Sequence, residues 1–137
     1  DQIPRNMHRG HADAFVTDKS ARAAAKIAIE RDWDLCIPEP ERQFFYMPLM
    51  HSENLIDQDR CCRLIKTRMT KDGLESLRHA RCHREIIRQF GRFPFRNEAL
   101  GRATTSAEAC WIKDGGYALE LQIIDAKTSV KKPLLTG

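Results

Sequence analysis

The sequence predicts an all-α fold, and three observations support this class. The stretch from Leu74 to Phe90 contains neither proline nor glycine and repeats its apolar side chains at helical spacing. Further helical patterns precede and follow it, separated by short segments rich in Pro, Gly and Asp. No strand pattern competes with these helices. Short connections imply antiparallel helix pairs, as in a bundle or a superhelix of helical hairpins.

Composition indicates one globular domain of 137 residues, with 42% hydrophobic and 31% charged side chains. No apolar run reaches the ~20 residues of a membrane span, and we expect no signal peptide. The five cysteines lack Cys-x-x-Cys spacing, so we expect reduced, mostly buried thiols in a cytoplasmic protein. The chain begins at Asp1 rather than Met, as a fragment of a longer protein would.

The first half of the chain predicts a turn and then three helices. Residues 1–10 read as the end of an element followed by a turn. Asp18 is the expected N-cap of a helix from Lys19 to about Arg31. Its packing stripe would be Ala24, Ile27 and Ala28, and residues 32–40 form a loop.

A short helix from Glu41 to Met47 follows, and Pro48 is expected to end or kink it. Ser52 is then the predicted N-cap of a helix running from Glu53 to about Met69. Its buried positions would be Leu55, Cys62, Ile65 and Met69.

The helix from Leu74 to Phe90 should begin after Asp72 and end at Gly91, since glycine favours the left-handed residue that closes many helices. At about 100° per residue, five arginines gather on one arc: Arg78, Arg81, Arg84, Arg88 and Arg92.

His83 falls in the middle of the apolar side of this helix. It is either a buried histidine with satisfied ring nitrogens or a catalytic or ligand-binding group. His79 lies one turn earlier, which is a chelating spacing, but no carboxylate completes a zinc-protease pattern. We therefore predict neither a metal nor a cofactor.

After Asn97, residues 105–108 (Thr-Ser-Ala-Glu) fit a capping box that opens a short helix through Trp111 and Ile112. Residues 114–116 (Asp-Gly-Gly) should end it. Residues 117–137 begin with alternating apolar side chains and end in a basic, proline-containing segment, so we expect a weakly ordered tail after a helical domain over residues 1–116.

Charge is unevenly distributed along the chain. Residues 60–102 hold 12 Lys or Arg against 4 Asp or Glu, whereas residues 1–59 hold 7 against 11. The middle of the chain could therefore meet an acidic partner or a nucleic acid. The alternative is a solvated helix face whose arginines pair with carboxylates of the first segment.

Three separated motifs carry a family resemblance. They are Asp1-Gln-Ile-Pro-Arg-Asn6 with Arg9-Gly10, Tyr46-Met-Pro-Leu-Met-His-Ser-Glu53, and the run from His83 through Phe90-Gly-Arg-Phe-Pro-Phe-Arg-Asn97 to Leu100-Gly-Arg102. Over residues 1–116 the chain resembles the bacterial family named domain of unknown function 924. The resemblance implies a tetratricopeptide-like helical fold and no established activity. Members usually carry His where this chain has Phe95, and have further helices before the first motif; their absence here predicts exposed apolar surface and self-association.

Function is left between binding and catalysis. In the first hypothesis the protein is a binding or scaffold module in which the arginine arc, with Arg92 and Arg96, holds an acidic peptide, a protein or an anionic small molecule. In the second it is a small-molecule or metal-dependent enzyme that uses His51, Glu53 and His83 as acid/base or metal groups, with an anion held by Arg92, Arg96, Asn97 and the helix start at Ser52. Nucleic-acid binding is disfavoured because no aromatic stacking platform accompanies the basic helix.

Overall fold

The computed structural model describes residues 15–131, and this part of the chain is all-α and contains no strand. The predicted fold class is confirmed. Six α-helices follow one another: α1 Asp18–Glu30, α2 Met47–Met50, α3 Leu55–Arg68, α4 Leu74–Phe90, α5 Ser106–Lys113 and α6 Gly116–Lys131. Three 3₁₀ turns, Trp33–Cys36, Glu41–Phe45 and Pro94–Arg96, lie between them. The turn predicted in residues 1–10 lies outside the described residues.

Helix α4 is central because it contributes to both apolar clusters of the core. Ala80 belongs to a cluster formed with α1, α2 and α3, whose largest members include Tyr46, Leu49 and Ile65. Ile86 belongs to a second cluster with Phe93 and Trp111. Burying an aliphatic side chain of this size contributes about 1.5–3 kcal/mol. The two clusters therefore hold α4 on opposite stretches of its length.

The bounds of α4, its closing glycine and the capping box of α5 agree with the prediction from the sequence. Helix α4 spans Leu74–Phe90 as predicted, although its N-cap is Gly73 rather than Asp72. Gly91 adopts φ 71°, in the left-handed region, and closes the helix. Thr105 and Glu108 form the predicted capping box at the start of α5.

The stripe predicted for α1 was right at Ala28 but wrong at Ala24 and Ile27, which are exposed. The helix buries Ala25, Ala28 and Ile29, whereas Ile27 is 49% exposed. Asp18 is not the N-cap but the first, buried residue of the helix, after Thr17. The error arose because alanine fits either face of a helix, so an alanine-rich sequence fixes its packing face poorly.

Two boundaries around residue 50 also differ from the prediction. Pro48 does not end a helix: it occupies the first turn of α2, where its missing N–H has no helical partner to lose. Asn54, not Ser52, caps α3 by accepting the N–H groups of Ile56 and Asp57. Because the helix starts two residues later than expected, Leu55 is 40% exposed rather than buried.

The prediction of a weakly ordered tail was wrong over residues 117–131, which form α6. Tyr117, Leu121 and Ile124 pack against the second core cluster. Their spacing of four and three residues is helical, but the first apolar residues of this segment also alternate as they would in a strand. Arg78 of α4 pairs with Asp125 of α6 at 2.8 Å. Tertiary packing on α4 therefore orders a segment whose own pattern is weak. Residues 132–137 lie outside the described part.

The cysteines are free thiols, as predicted. Cys61, Cys62 and Cys82 are buried, whereas Cys36 and Cys110 are exposed. Burial raises the pKa of all three buried thiols, that of Cys82 to about 12. Within residues 15–131, no helix is both long enough and apolar enough to cross a membrane.

Candidate functional site

The turn after α4 brings together most of the polar residues that the sequence singled out. Glu53, from the loop before α3, lies at the centre of this group of polar residues. Its two carboxylate oxygens accept hydrogen bonds from Arg102 at 2.8 and 3.1 Å, and one of them also accepts the Phe93 N–H at 2.6 Å. Burial opposes ionisation of Glu53, but the bonds from Arg102 and Phe93 outweigh it and lower its pKa. Glu53 is therefore a fixed carboxylate at neutral pH.

Arg92 forms a second ion pair at this turn. Its guanidinium donates to both oxygens of Glu108, at 2.8 and 2.7 Å, and to the Ala103 carbonyl. The hydrogen bond from Arg92 lowers the pKa of Glu108 to about 2, against the opposing effect of its burial. This two-pronged geometry fixes the orientation of the guanidinium. Arg92 thereby joins the turn to the start of α5.

Arg96 and Asn97 are buried in the same network. Arg96 donates to the His51 carbonyl at 2.9 Å and stacks between Phe15 and Phe93, with its guanidinium carbon 4.7 and 4.6 Å from the two ring centroids. Asn97 accepts from Arg102 at 3.0 Å and donates to Thr104 at 3.3 Å. We call the set Glu53, Arg92, Arg96, Asn97, Arg102 and Glu108 the turn network.

Ser52 lies beside this network with its hydroxyl already engaged. It donates to Asp57 at 2.7 Å and accepts the Asn54 N–H at 3.2 Å. Lys26 of α1 pairs with the other oxygen of Asp57 at 3.0 Å. Ser52 thus connects the loop before α3 to the helix itself, and its role in holding a ligand stays a prediction.

His83 is half-buried between several rings. Its centroid lies 6.1 Å from that of His51, 5.4 Å from Phe93 and 5.2 Å from Tyr117. Its Nδ1 lies 2.8 Å from the His79 carbonyl, an acceptor, so this nitrogen carries the proton and donates. Burial lowers the pKa of His83 to about 4, and the nearby His51 and Arg96 act in the same direction. At neutral pH His83 is uncharged, with a lone pair on Nε2.

His79 and His83 do not share a metal-binding arrangement. The Nε2 of His79 donates to Glu75 at 3.0 Å, and its Nδ1 accepts from the Tyr117 hydroxyl at 2.5 Å. Both ring nitrogens of His79 are therefore engaged. In the described part of the chain, no three His, Cys, Asp or Glu side chains are grouped so as to hold a metal ion.

The arginine arc divides into paired and unpaired members. Arg78 pairs with Glu75 and Asp125, and Arg88 with Glu85. Among the residues that the structure describes, Arg84 is the member of the arc that pairs with the first segment, at 3.7 Å from Asp59. The arginines are thus largely neutralised, but mostly by carboxylates of residues 75–125 rather than of residues 1–59.

An open groove between α3 and α4 retains positive charge. Its volume is about 310 Å³, and its charged lining is Asp59, Arg63, Lys66, Arg81 and Arg84. Arg63, Lys66 and Arg81 form no ion pair with any residue between 15 and 131. We call Arg63, Lys66, Arg81 and Arg84 the groove cations.

Sequence reasoning missed several of these residues. Arg102 was quoted only as part of a motif, and Glu108 only as part of a capping box, although both complete the turn network. Arg63 and Lys66 were visible only as a local surplus of positive charge. Their grouping with Arg81 depends on how α3 packs against α4.

Comparison with other proteins gives a family and one similar structure. Residues 1–116 match the family described as Bacterial protein of unknown function (DUF924). A protein of unknown function from Agrobacterium tumefaciens, ATU0120, is similar in structure, with a TM-score of 0.77 and 42% sequence identity. The match covers 84% of this chain and 63% of that one. None of the curated proteins is similar to this chain.

Proposed function

The chain belongs to the DUF924 family of bacterial proteins of unknown function. Because the family supplies no activity, we propose a function from the structure: the protein is a binding module whose groove cations hold an acidic peptide. The observation that carries the proposal is the surplus of charge in the groove. Four cations line it, and Asp59 is the only carboxylate among the described residues that line it. An anionic ligand would supply the missing counter-charges.

The spacing of the groove cations supports a peptide. The groove follows α3 from Asp59 to Lys66, seven residues that rise about 10 Å at 1.5 Å per residue. About three residues of an extended peptide cover the same length. Arginine favours carboxylates because its planar guanidinium offers two parallel N–H donors. A short acidic run therefore fits the length and the charge of the groove.

The turn network supports the same choice by elimination. Arg92 and Arg102 each use two donors on an internal carboxylate, and the Arg96 guanidinium is stacked between two rings. A ligand there would have to replace bonds that hold α5 and the turn together. In the groove, the ion pair of the described residues that a ligand would disturb is the 3.7 Å contact between Arg84 and Asp59.

Binding of a fluorescein-labelled hexaglutamate peptide, followed by anisotropy, tests the proposal. The triple variant R63Q/K66Q/R81Q should weaken binding at least about tenfold, since each lost charge contact contributes several tenths of a kcal/mol or more. The matched control is R88Q/K113Q/K127Q, which removes the same charge at exposed positions outside the groove.

Equal weakening in the two triple variants would show attraction by net charge alone and would contradict a groove site. Citrate provides a second arm. If citrate displaces the peptide at concentrations comparable to those of hexaglutamate itself, the occupant is an anionic small molecule and not a peptide.

Catalysis is the second candidate, favoured by the contact between His51 and His83. Their rings lie 6.1 Å apart, and His51 borders an open cleft of about 370 Å³ that is also lined by Ser52, Glu53 and Arg96. Hydrolysis of p-nitrophenyl acetate and p-nitrophenyl phosphate would test it. A rate above the buffer background that disappears in H51Q supports general acid/base chemistry; a rate equal to the background in wild type contradicts it for these two reactions.

A further inference from the structure

We propose that a separate cavity beside His83 binds an uncharged aromatic small molecule that carries one hydrogen-bond donor. This cavity, the His83 pocket, lies between the end of α5, the start of α6 and the side of α4. His83, Phe95, Trp111, Ile112, Gly116 and Tyr117 line it. It shares no lining residue with the groove, so the proposal does not depend on peptide binding.

The size and lining of the pocket fit an aromatic ligand. Its volume is about 450 Å³, within the ~300–1,000 Å³ typical of small-molecule sites. Three aromatic side chains and Ile112 form most of its wall. Phe95 is 50% exposed and Ile112 46% exposed, although both are large and apolar. A flat apolar ligand would cover them and gain the contribution of that buried area.

Gly116 places no side chain against the Trp111 indole, which forms part of this wall. The residue has φ 56°, and a Cβ built on it would lie 3.7–3.8 Å from the Trp111 indole, in van der Waals contact. A side chain at this position would pack against the indole. Glycine leaves the small exposed part of Trp111, 7% of its surface, open to the pocket.

The absence of charge from the wall decides the ligand's charge. No Asp, Glu, Lys or Arg of residues 15–131 lines the pocket. An ionised ligand would lose part of its hydration against this wall without gaining a counter-charge, which is unfavourable. The occupant is therefore uncharged.

His83 supplies the polar group that orients the ligand. Its Nδ1 is engaged as a donor to the His79 carbonyl, which leaves Nε2 as an acceptor. The Tyr117 hydroxyl already lies 2.5 Å from His79 Nδ1 and 3.4 Å from His83 Nδ1, so it is engaged with both histidines. A neutral imidazole acceptor in an apolar wall selects a ligand O–H or N–H, as in a phenol or an indole.

Titration of the protein with phenol and with toluene, followed by ligand-observed NMR, tests the proposal. Both probes should bind wild type. H83L should weaken phenol binding roughly tenfold, the effect of one lost hydrogen bond, and leave toluene binding within about twofold. The variant I112W should block both probes by filling the pocket. The control L74W, at a position 85% exposed and outside the pocket, should leave both unchanged.

The shift of the His83 Nε2 resonance in a ¹⁵N–¹H long-range spectrum provides a readout in wild type, independent of whether H83L folds. Phenol should move it and toluene should not. Failure of both probes to bind wild type, unchanged binding to I112W, or an Nε2 resonance that phenol does not move would each overturn the proposal.

Discussion

The turn network and the groove cations use the same side chain in two different ways. In the turn network, Arg92 and Arg102 each meet a carboxylate through two hydrogen bonds, and both carboxylates have lowered pKa values. In the groove, Arg63, Lys66 and Arg81 meet no carboxylate of the described chain. The counter-charge, and not the residue type, separates arginines that hold the fold from those open to a partner.

This difference has an energetic reason. A half-buried arginine that has lost water needs its internal acceptor, so removing it leaves a carboxylate unpaired. An exposed arginine keeps its hydration, and its removal leaves the folded chain almost unaffected. The turn network should therefore respond to mutation through stability, and the groove through binding.

The largest expected effect is from R102M. This variant removes the partner of Glu53 and the hydrogen bonds to Asn97 and the Phe93 carbonyl. We expect a loss of about 2–4 kcal/mol in the free energy of unfolding, since a partly buried carboxylate is left unpaired. Urea denaturation measures it. The control R88M, whose exposed arginine pairs only with Glu85 within α4, should leave the urea midpoint unchanged; equal effects of the two variants would erase the distinction.

Acid should act on the turn network next. The folded pKa of Glu108 lies at about 2, below its ordinary value of 4.5, so its contribution is complete above pH 4.5 and is lost as pH falls through 2. The urea midpoint of wild type should fall over this window, and that of E108Q should fall less steeply. His83 acts in a separate window, because its pKa is lowered from 6.5 to about 4 in the folded protein. As pH falls from 6.5 to 4 the unfolded chain binds this proton first, so the stability of the fold decreases here too.

A midpoint that stays level between pH 4.5 and 2 in wild type would contradict the Arg92–Glu108 assignment. E108Q also supplies its own control at pH 7, where it should be less stable than wild type because the ion pair is gone.

Salt should distinguish the groove from the turn network. The Debye length shortens from about 10 Å at 0.1 M salt to about 3 Å at 1 M. Hexaglutamate binding should weaken roughly tenfold over this range, whereas the stability difference between wild type and R102M should change little because its ion pair is sheltered. Anisotropy and urea titrations at both salt concentrations provide the comparison. Peptide binding that is independent of salt would show that the contacts are not ionic.

The smallest expected effect comes from the uncharged cap of α5, the Thr105 hydroxyl. T105A removes the hydroxyl that accepts the Glu108 N–H in the capping box and should cost about 1 kcal/mol. T70A, in an exposed turn, is the control and should be neutral. A loss well above 2 kcal/mol for T105A would mean that the cap also positions Glu108 for Arg92.

Local features of the fold could be predicted from the sequence, whereas distant pairings could not. The bounds of α4 and the Thr105 capping box depend on neighbouring residues, so they were found. Ser52 and Asn54 are equally good caps by composition, and only the structure distinguishes them. The α6 helix was missed because its order comes from contacts with α4.

The candidate site shows the same limit. His51, Glu53, His83, Arg96 and Asn97 were placed together by a motif resemblance, and they do lie in one region. Their partners Arg102 and Glu108 were not recognised, because pairing across the chain depends on tertiary packing. The separation of the arginine arc into paired and unpaired members had no signal in the periodicity of α4.

The buried thiols can serve as probes of local unfolding in this protein. Cys61 and Cys62 belong to the core between α3 and its neighbours, and Cys82 belongs to the cluster around Phe93. An alkylating reagent can reach them only when these parts open, and until then burial raises their pKa values and keeps the reactive thiolate scarce. Cys36 and Cys110 are modified at once. The mass added with time would therefore report separately how often each half of the core exposes itself to solvent.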